Sequence, residues 1–260
     1  MKSNSLPAKQ ANLEKEIIQY CHQLKLASIK NGYMNNILSA QKDSTSYLEF
    51  LHGLLQIEIE NRQIKRIEKY LKESRLPLEK SLDQFDLSRF PLKIKHQVKT
   101  LADGLFIERM ENILVFGKPG TGKTHLLCAI AKEQIKRGRR IYFSTCNLLV
   151  QELLSAKRDF KLPKFIRQFG KFDAVILDDI GYVSHEHHEM EVLFTFLAER
   201  YERGSIMITS NLPFSQWEKI FKDPMTTAAA IDRLIHHAVI LELNVDSFRM
   251  QNAEKNKEKK

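Results

Sequence analysis

A chain of 260 residues with 43% hydrophobic and 28% charged content is long enough for one globular domain of roughly 150 to 200 residues plus something smaller. That excludes disorder throughout. The net charge of +9 points to a polyanionic partner, either nucleic acid or an acidic membrane surface. Residues 1–76 carry 12 basic and 8 acidic groups, 77–150 carry 13 and 7, and 151–260 carry 16 and 17. The surplus therefore belongs to the first 150 residues.

Cys21, Cys128 and Cys146 are odd in number and lack any C-x-x-C spacing, which argues against a disulfide framework and a zinc ribbon. A reducing, cytoplasmic setting is expected. The polar start Met1-Lys2-Ser3-Asn4-Ser5 and the lack of a run of about 18 apolar residues argue against a secretory signal and a membrane-spanning helix.

In chain order, Leu13, Ile17, Tyr20, Cys21 and Leu24 recur at helical spacing, predicting a helix from Leu13 to about Ser39. Ser46 and Glu49 match a capping box. The apolar series from Leu48 to Leu71 then predicts a long helix ending near Ser74, before Pro77. Arg62, Lys65, Arg66, Lys69 and Lys72, interspersed with Glu58, Glu60, Glu68 and Glu73, form either a solvated face or a nucleic-acid surface. Residues 1–76 are thus expected to be a small helical domain for DNA or partner binding.

Periodicity weakens over 77–107, where Pro77 and Pro91 lie, predicting a linker and adenine-side segment. Phe85, Phe90 and Leu92 either flank an adenine or anchor the linker. From residue 108 to 252, short β-branched runs (Ile113–Phe116, Ile141–Phe143, Ala174–Leu177, Ile206–Ile208, Val239–Leu243) alternate with amphipathic stretches. This predicts an α/β fold around a five-stranded parallel sheet. Residues 253–260, with six charges in eight positions, read as a disordered basic tail.

Asn112–Phe116 leads directly into Gly117-Lys118-Pro119-Gly120-Thr121-Gly122-Lys123-Thr124, and a helical pattern begins at His125. This is the G-x-x-x-x-G-K-[ST] phosphate loop between strand and helix. Its glycines let backbone N–H groups turn inward toward phosphate oxygens. Lys123 supplies a point charge to the β- and γ-phosphates, and Thr124 a hydroxyl for Mg²⁺. Asp178-Asp179 follows the apolar run Ala174–Leu177, so both carboxylates are delivered to the rim that carries the phosphate loop. Asp178 is assigned to Mg²⁺, and Asp179 to polarising the attacking water. ATP hydrolysis is the expected reaction.

With these motifs the chain resembles the AAA+ ATPases. The resemblance implies that Asn211, after Ser210, orients the lytic water. It also implies that Arg233 in Ile231-Asp232-Arg233-Leu234 reaches a neighbouring subunit's nucleotide, with Arg200 and Arg203 as rivals, and that Arg249 in Asp246-Ser247-Phe248-Arg249 lies near the γ-phosphate of its own. Arg233 and Arg249 also admit a plain structural role. Phe50-Leu51, Leu54-Leu55, Leu76-Pro77, Phe85-Asp86, the run 200–205 and Ser210-Asn211-Leu212-Pro213 make residues 15–252 similar to the IstB-like ATP-binding proteins of insertion sequences. These are relatives of DnaC-type helicase loaders and DnaA-type initiators. Membership implies ATP and Mg²⁺ as cofactors, ATP-dependent oligomers on duplex DNA, and a partner transposase recruited or stimulated at target DNA. Asp179, one methylene shorter than the glutamate usual in the superfamily, implies slow turnover, and stimulation by DNA is expected.

Lys157, Arg158, Lys161, Lys164, Arg167 and Lys171 face only Asp159 between Ala156 and Lys171. They are the candidate phosphate contacts, giving sequence-independent, salt-sensitive binding, unless the stretch is simply a solvated helix. His185, His187 and His188 miss H-E-x-x-H and carry no metal assignment. Trp217 reads as core. Two alternatives stay open: a helicase loader preferring single-stranded DNA, and a non-hydrolysing, ATP-gated scaffold.

Overall fold

The computed structural model describes residues 5–77, 79–181, 187–213, 216–217 and 231–248. The chain forms two compact units, Met1–Glu68 and Lys69–Lys260. Among the described residues no helix is long and apolar enough to cross a membrane.

The first unit is helical: α1 (Ser5–Gln23), α2 (Ala27–Lys42) and most of α3 (Tyr47–Ser74). The single helix expected over Leu13–Ser39 is two. Lys25 adopts φ 56°, and the N–H of Leu26 donates to the carbonyl of Cys21 at 2.7 Å, closing α1 with a left-handed residue. α2 has no side-chain cap of its own from Leu26. Glu58 of α3 caps it from a distance: Oε2 accepts from Ser28 and Ile29 N–H at 2.8 and 3.2 Å, and Arg62 Nε holds Oε1 at 2.8 Å. α3 begins as expected, with Glu49 accepting from Ser46 N–H and Ser46 Oγ donating to Oε2 at 2.6 Å.

In the second unit, β1 (Asn112–Phe116), β2 (Ile141–Thr145), β3 (Ala174–Asp178), β4 (Ser205–Ser210) and β5 (Ala238–Glu242) form one parallel sheet in the order β2-β3-β4-β1-β5. β1, β3 and β4 are buried at every position, as continuous apolar runs in a covered parallel sheet require. The first three crossovers are helical: α6 (Lys123–Lys136) follows β1, α7 (Cys146–Arg158) and α8 (Leu162–Arg167) lie between β2 and β3, and α9 (His187–Arg200) precedes β4. Phe116 pairs with Ser210, and Thr145 with Asp178, so the phosphate loop, Asp178-Asp179 and Ser210-Asn211 leave the sheet on one rim.

The segment expected as a linker is more structured. Its residues include a 3₁₀ turn (Leu87–Arg89), α4 (Leu92–Asp103) and the short α5 (Leu105–Glu108). Ile94, Val98 and Leu101 are buried along one face of α4, each side chain contributing about 1.5–3 kcal/mol relative to exposure. Gln134 of α6 donates to Ala102 O at 2.7 Å, and Gly104, at φ 88°, closes the helix. Asn112 fastens the opposite end of the sheet, donating to Leu234 O at 3.1 Å and accepting from Ile206 N–H at 2.8 Å. Cys21, Cys128 and Cys146 are buried and free. Burial pushes the Cys128 and Cys146 thiols up to about 12, which leaves both unreactive.

Candidate functional site: a phosphate cradle at the sheet rim

Gly117 leaves β1 with its N–H on Ser210 O at 3.3 Å, and the loop turns into α6 through Gly120 (φ 82°) and Gly122 (φ 98°). Glycine is required at both positions beyond backbone preference. A Cβ on Gly120 would collide with Ser247 Oγ, and one on Gly122 would lie 2.9 Å from the Phe85 ring. Thr121, 1% exposed, folds back and donates to Lys118 O at 2.9 Å. Lys123 is buried, with Nζ donating to Gly117 O at 2.9 Å and Lys118 O at 3.1 Å. Gly117 and Lys118 thus position the lysine. Pro119 through His125 line the cavity itself.

That cavity, about 270 Å³, is also lined by Lys80, Gln84, Phe85, Phe90, Asp179 and Phe248. A second cavity of about 260 Å³ lies beside Asn112, Arg200 and Arg233, so volume does not single out the site, whereas the phosphate-loop lining does. Phe85 and Phe90 stack with centroids 5.4 Å apart, and His125 meets Phe85 edge-on at 5.3 Å while its Nε2 sits 2.9 Å from Ser81 O. Leu92 is exposed and not part of this wall. Across the cavity, Phe248 N–H donates to Gly120 O at 3.0 Å, and Arg89 stacks over the Phe248 ring at 5.3 Å. Arg249 lies outside the described residues, as do His185 and the side chain of His187.

The acidic pair is held by a residue the sequence did not single out. Thr209, fully buried on β4, donates from Oγ1 to Asp178 Oδ1 at 2.6 Å and accepts the Asp179 N–H at 2.8 Å. Asp178 Oδ1 also accepts from Thr124 Oγ1 at 2.8 Å. One hydroxyl thus ties Asp178 and Asp179 together, while Asp178 ties β3 to the first turn of α6. Asp179 has φ 59°, which turns its half-buried side chain from the strand direction into the cavity. Thr124 and Asp178, a hydroxyl touching a carboxylate beside the phosphate loop, fit a hard divalent cation. Asn211 follows on the same rim. Its buried Oδ1 has no hydrogen-bond partner among the described residues, and a Cβ on Gly181 would lie 2.5 Å from it.

The three arginines proposed to act in trans separate. Arg200 is 3% exposed and donates to the carbonyls of Phe169 (3.0 Å), Phe172 (2.8 Å), Asp173 (3.3 Å) and Ser205 (3.3 Å). Burial lowers its pKa to about 10. It is a tie inside the core and cannot reach another subunit. Arg203 is exposed and paired with Glu199 at 2.8 Å. Arg233 is exposed on a helical turn over 231–235 that leads into the start of β5, whereas the phosphate loop follows the end of β1. The strands are parallel, so Arg233 lies at the opposite end of the sheet from its own cradle.

In the basic segment, Arg158, Lys161, Lys164, Arg167 and Lys171 are exposed. Lys157 pairs with Glu191 at 2.5 Å and Lys161 with Asp159 at 3.6 Å. Lys171 stands over the Phe172 ring at 4.9 Å. Trp217 is fully buried, with Nε1 on Leu212 O at 3.2 Å.

A family model described as IstB-like ATP binding protein matches residues 19–256. An insertion-sequence ATP-binding protein of Sinorhizobium fredii is 41% identical over 233 residues, 89% of this chain and 78% of that one. The insertion sequence IS5376 ATP-binding protein of Geobacillus stearothermophilus is 37% identical over 247 residues, 95% of this chain and 98% of that one. Among solved structures, AMPPCP-bound DnaA from Aquifex aeolicus superposes with a TM-score of 0.56 at 21% identity, over 72% of this chain and 56% of that one. This chain therefore spans little more than half the length of that DnaA, and the likeness establishes the AAA+ P-loop NTPase fold.

Proposed function

Because the chain belongs to the family of IstB-like ATP-binding proteins of insertion sequences, we propose that it hydrolyses ATP between adjacent copies of itself while assembled on duplex DNA, and so serves a partner transposase. The observation that carries hydrolysis, beyond ATP binding, is the Thr124–Asp178–Thr209–Asp179 chain of hydrogen bonds. It fixes a second carboxylate beside the cradle, where phosphate binding alone does not need one.

The phosphate loop binds the triphosphate through its N–H groups and the start of α6, and Lys123 exchanges its two carbonyl partners for phosphate oxygens. Thr124 and Asp178 would hold Mg²⁺, which when bound neutralises phosphate charge. Asp179 takes the proton of the attacking water, and Asn211 aims that water with its unpartnered oxygen. Phe85 and Phe90 face the base. Arg233, remote from its own cradle, completes a neighbour's. The basic stretch from Lys157 to Lys171 contacts DNA phosphates.

The test compares ATP turnover of wild type, Asp179→Asn and Arg233→Ala, each without DNA and with duplex or single-stranded DNA. Turnover that rises with duplex DNA and is lost in both variants is the expected result. No turnover under any condition would instead fit an ATP-gated scaffold, and stimulation by single strands alone would fit a helicase loader. Co-purification with the product of the neighbouring reading frame tests the transposase partner.

A further inference from the structure

The turn between α7 and α8 carries a side chain that the ATP site leaves unused. Phe160 is 95% exposed and adopts φ 55°. Its N–H donates to Lys157 O at 3.0 Å, and the N–H of Lys161 donates to Ala156 O at 2.7 Å. This is the closing pattern of a helix whose left-handed position is usually glycine. An aromatic ring there carries the backbone cost of the left-handed position and leaves both its faces in water, with no ring contact among the described residues.

The surroundings state what could. Phe160 stands between Asp159 and Lys161 in the chain, with Arg158, Lys164 and Arg167 close by in sequence, all exposed. Asp159 is the one acid in the stretch and already faces Lys161. The nearby apolar groups turn inward: Ile166 is buried, and Leu162 and Phe165 pack on the core. What remains is a lone ring in a cationic field, without the apolar neighbours a protein-docking groove needs. Its complement is an anionic surface with an apolar slot between the charges, which is what stacked base pairs between two phosphate rows present.

We propose that Phe160 is a wedge that enters between base steps of duplex DNA and unstacks them, while Arg158, Lys161 and Lys164 hold the flanking phosphates. This rests on the reading of the 157–171 segment as a DNA contact. A step already weakened by a mismatch is then the preferred seat, because less stacking is lost there.

The test uses the full chain with ATP and duplexes carrying 2-aminopurine, either fully paired or with one central mismatch. Wild type raises 2-aminopurine fluorescence and binds the mismatched duplex about fivefold or more tighter. Phe160→Gly, which suits the left-handed backbone, melts at the same or a higher temperature. It keeps the dependence of affinity on salt but loses the fluorescence rise and the mismatch preference. Phe160→Trp retains both, and its added emission is quenched by DNA. A Phe160→Gly protein that still unstacks DNA and still prefers the mismatch overturns the wedge and leaves the phosphate contacts standing. If Arg158→Ala/Lys161→Ala/Lys164→Ala binds duplex with unchanged affinity and salt dependence, the DNA reading of the segment fails, and the wedge with it. Binding to anionic vesicles that needs Phe160, with no duplex signal, would assign the ring to a membrane and also overturn the proposal.

Discussion

Thr209 shows how a neutral side chain sets up two charged ones. Its Oγ1 is both donor to Asp178 and acceptor for the Asp179 N–H, so the nearly isosteric Thr209→Val removes two hydrogen bonds and leaves a buried carboxylate oxygen and an N–H short of partners, at about 1–3 kcal/mol each. We expect ATP turnover to fall about ten- to a hundredfold while ATP affinity stays within about threefold, because the loop and Lys123 are untouched; steady-state hydrolysis beside a fluorescent-nucleotide titration reads both. Arg200→Ala should act on stability instead: it removes four hydrogen bonds to buried carbonyls, of which Phe169 O and Asp173 O keep the N–H groups of Phe172 and Ser205, at a cost of about 1–3 kcal/mol visible as a lowered urea midpoint. The phosphate loop and the aspartate pair were legible in the sequence because each is a contiguous string whose spacing is its chemistry. Thr209 was not, since its partners lie about thirty residues away and a threonine in a β-branched strand looks like ordinary strand composition. Arg200 misled for a related reason: Arg200-Tyr201-Glu202-Arg203 reads as surface, and only the closing of α9 onto Phe169, Phe172 and Asp173 turns the first arginine inward.

Among the elements, the strands were recognisable as short β-branched runs, and every one lies within a residue or two of its expected span. The helices were harder where no punctuation marks them. The apolar pattern continues past Lys25, so nothing announced the break between α1 and α2, and the left-handed residue there is not glycine. α4 was hidden because three buried positions among lysines make a thin stripe. α2 depends on a cap supplied by another helix. Burial alone would raise the Glu58 pKa, but the Arg62 hydrogen bond and the Ser28 and Ile29 N–H groups outweigh it and hold the carboxyl below its ordinary value. A lowered folded pKa means that the contribution is complete above the unfolded value, near 4.3, and is lost as pH falls through the folded one. Glu58→Gln should therefore speed amide exchange at Ser28 and Ile29 about five- to tenfold at pH 7, a loss near 1 kcal/mol. The difference from wild type should close as the pH falls below about 4.

At the scale of the whole molecule, the +9 surplus divides by place. Lys123 is spent inside the cradle, while Arg158, Lys161, Lys164 and Arg167 are exposed on one connection. Screening then distinguishes two ligands: raising salt from 50 to 200 mM should weaken duplex binding by about tenfold or more, and nucleotide binding far less, as parallel titrations would record. Parallel topology gives the second consequence. The phosphate cradle leaves the sheet at the strand ends, and Arg233 enters at the start of β5, so one copy cannot bring its arginine to its own nucleotide. The most direct measurement mixes two inactive proteins, Lys123→Ala, which keeps the arginine but not the cradle, and Arg233→Ala, which keeps the cradle but not the arginine. The account predicts that ATP turnover on duplex DNA, absent from either alone, returns on mixing; two variants that remain inactive together, or an Arg233→Ala protein that hydrolyses ATP unaided, would contradict it.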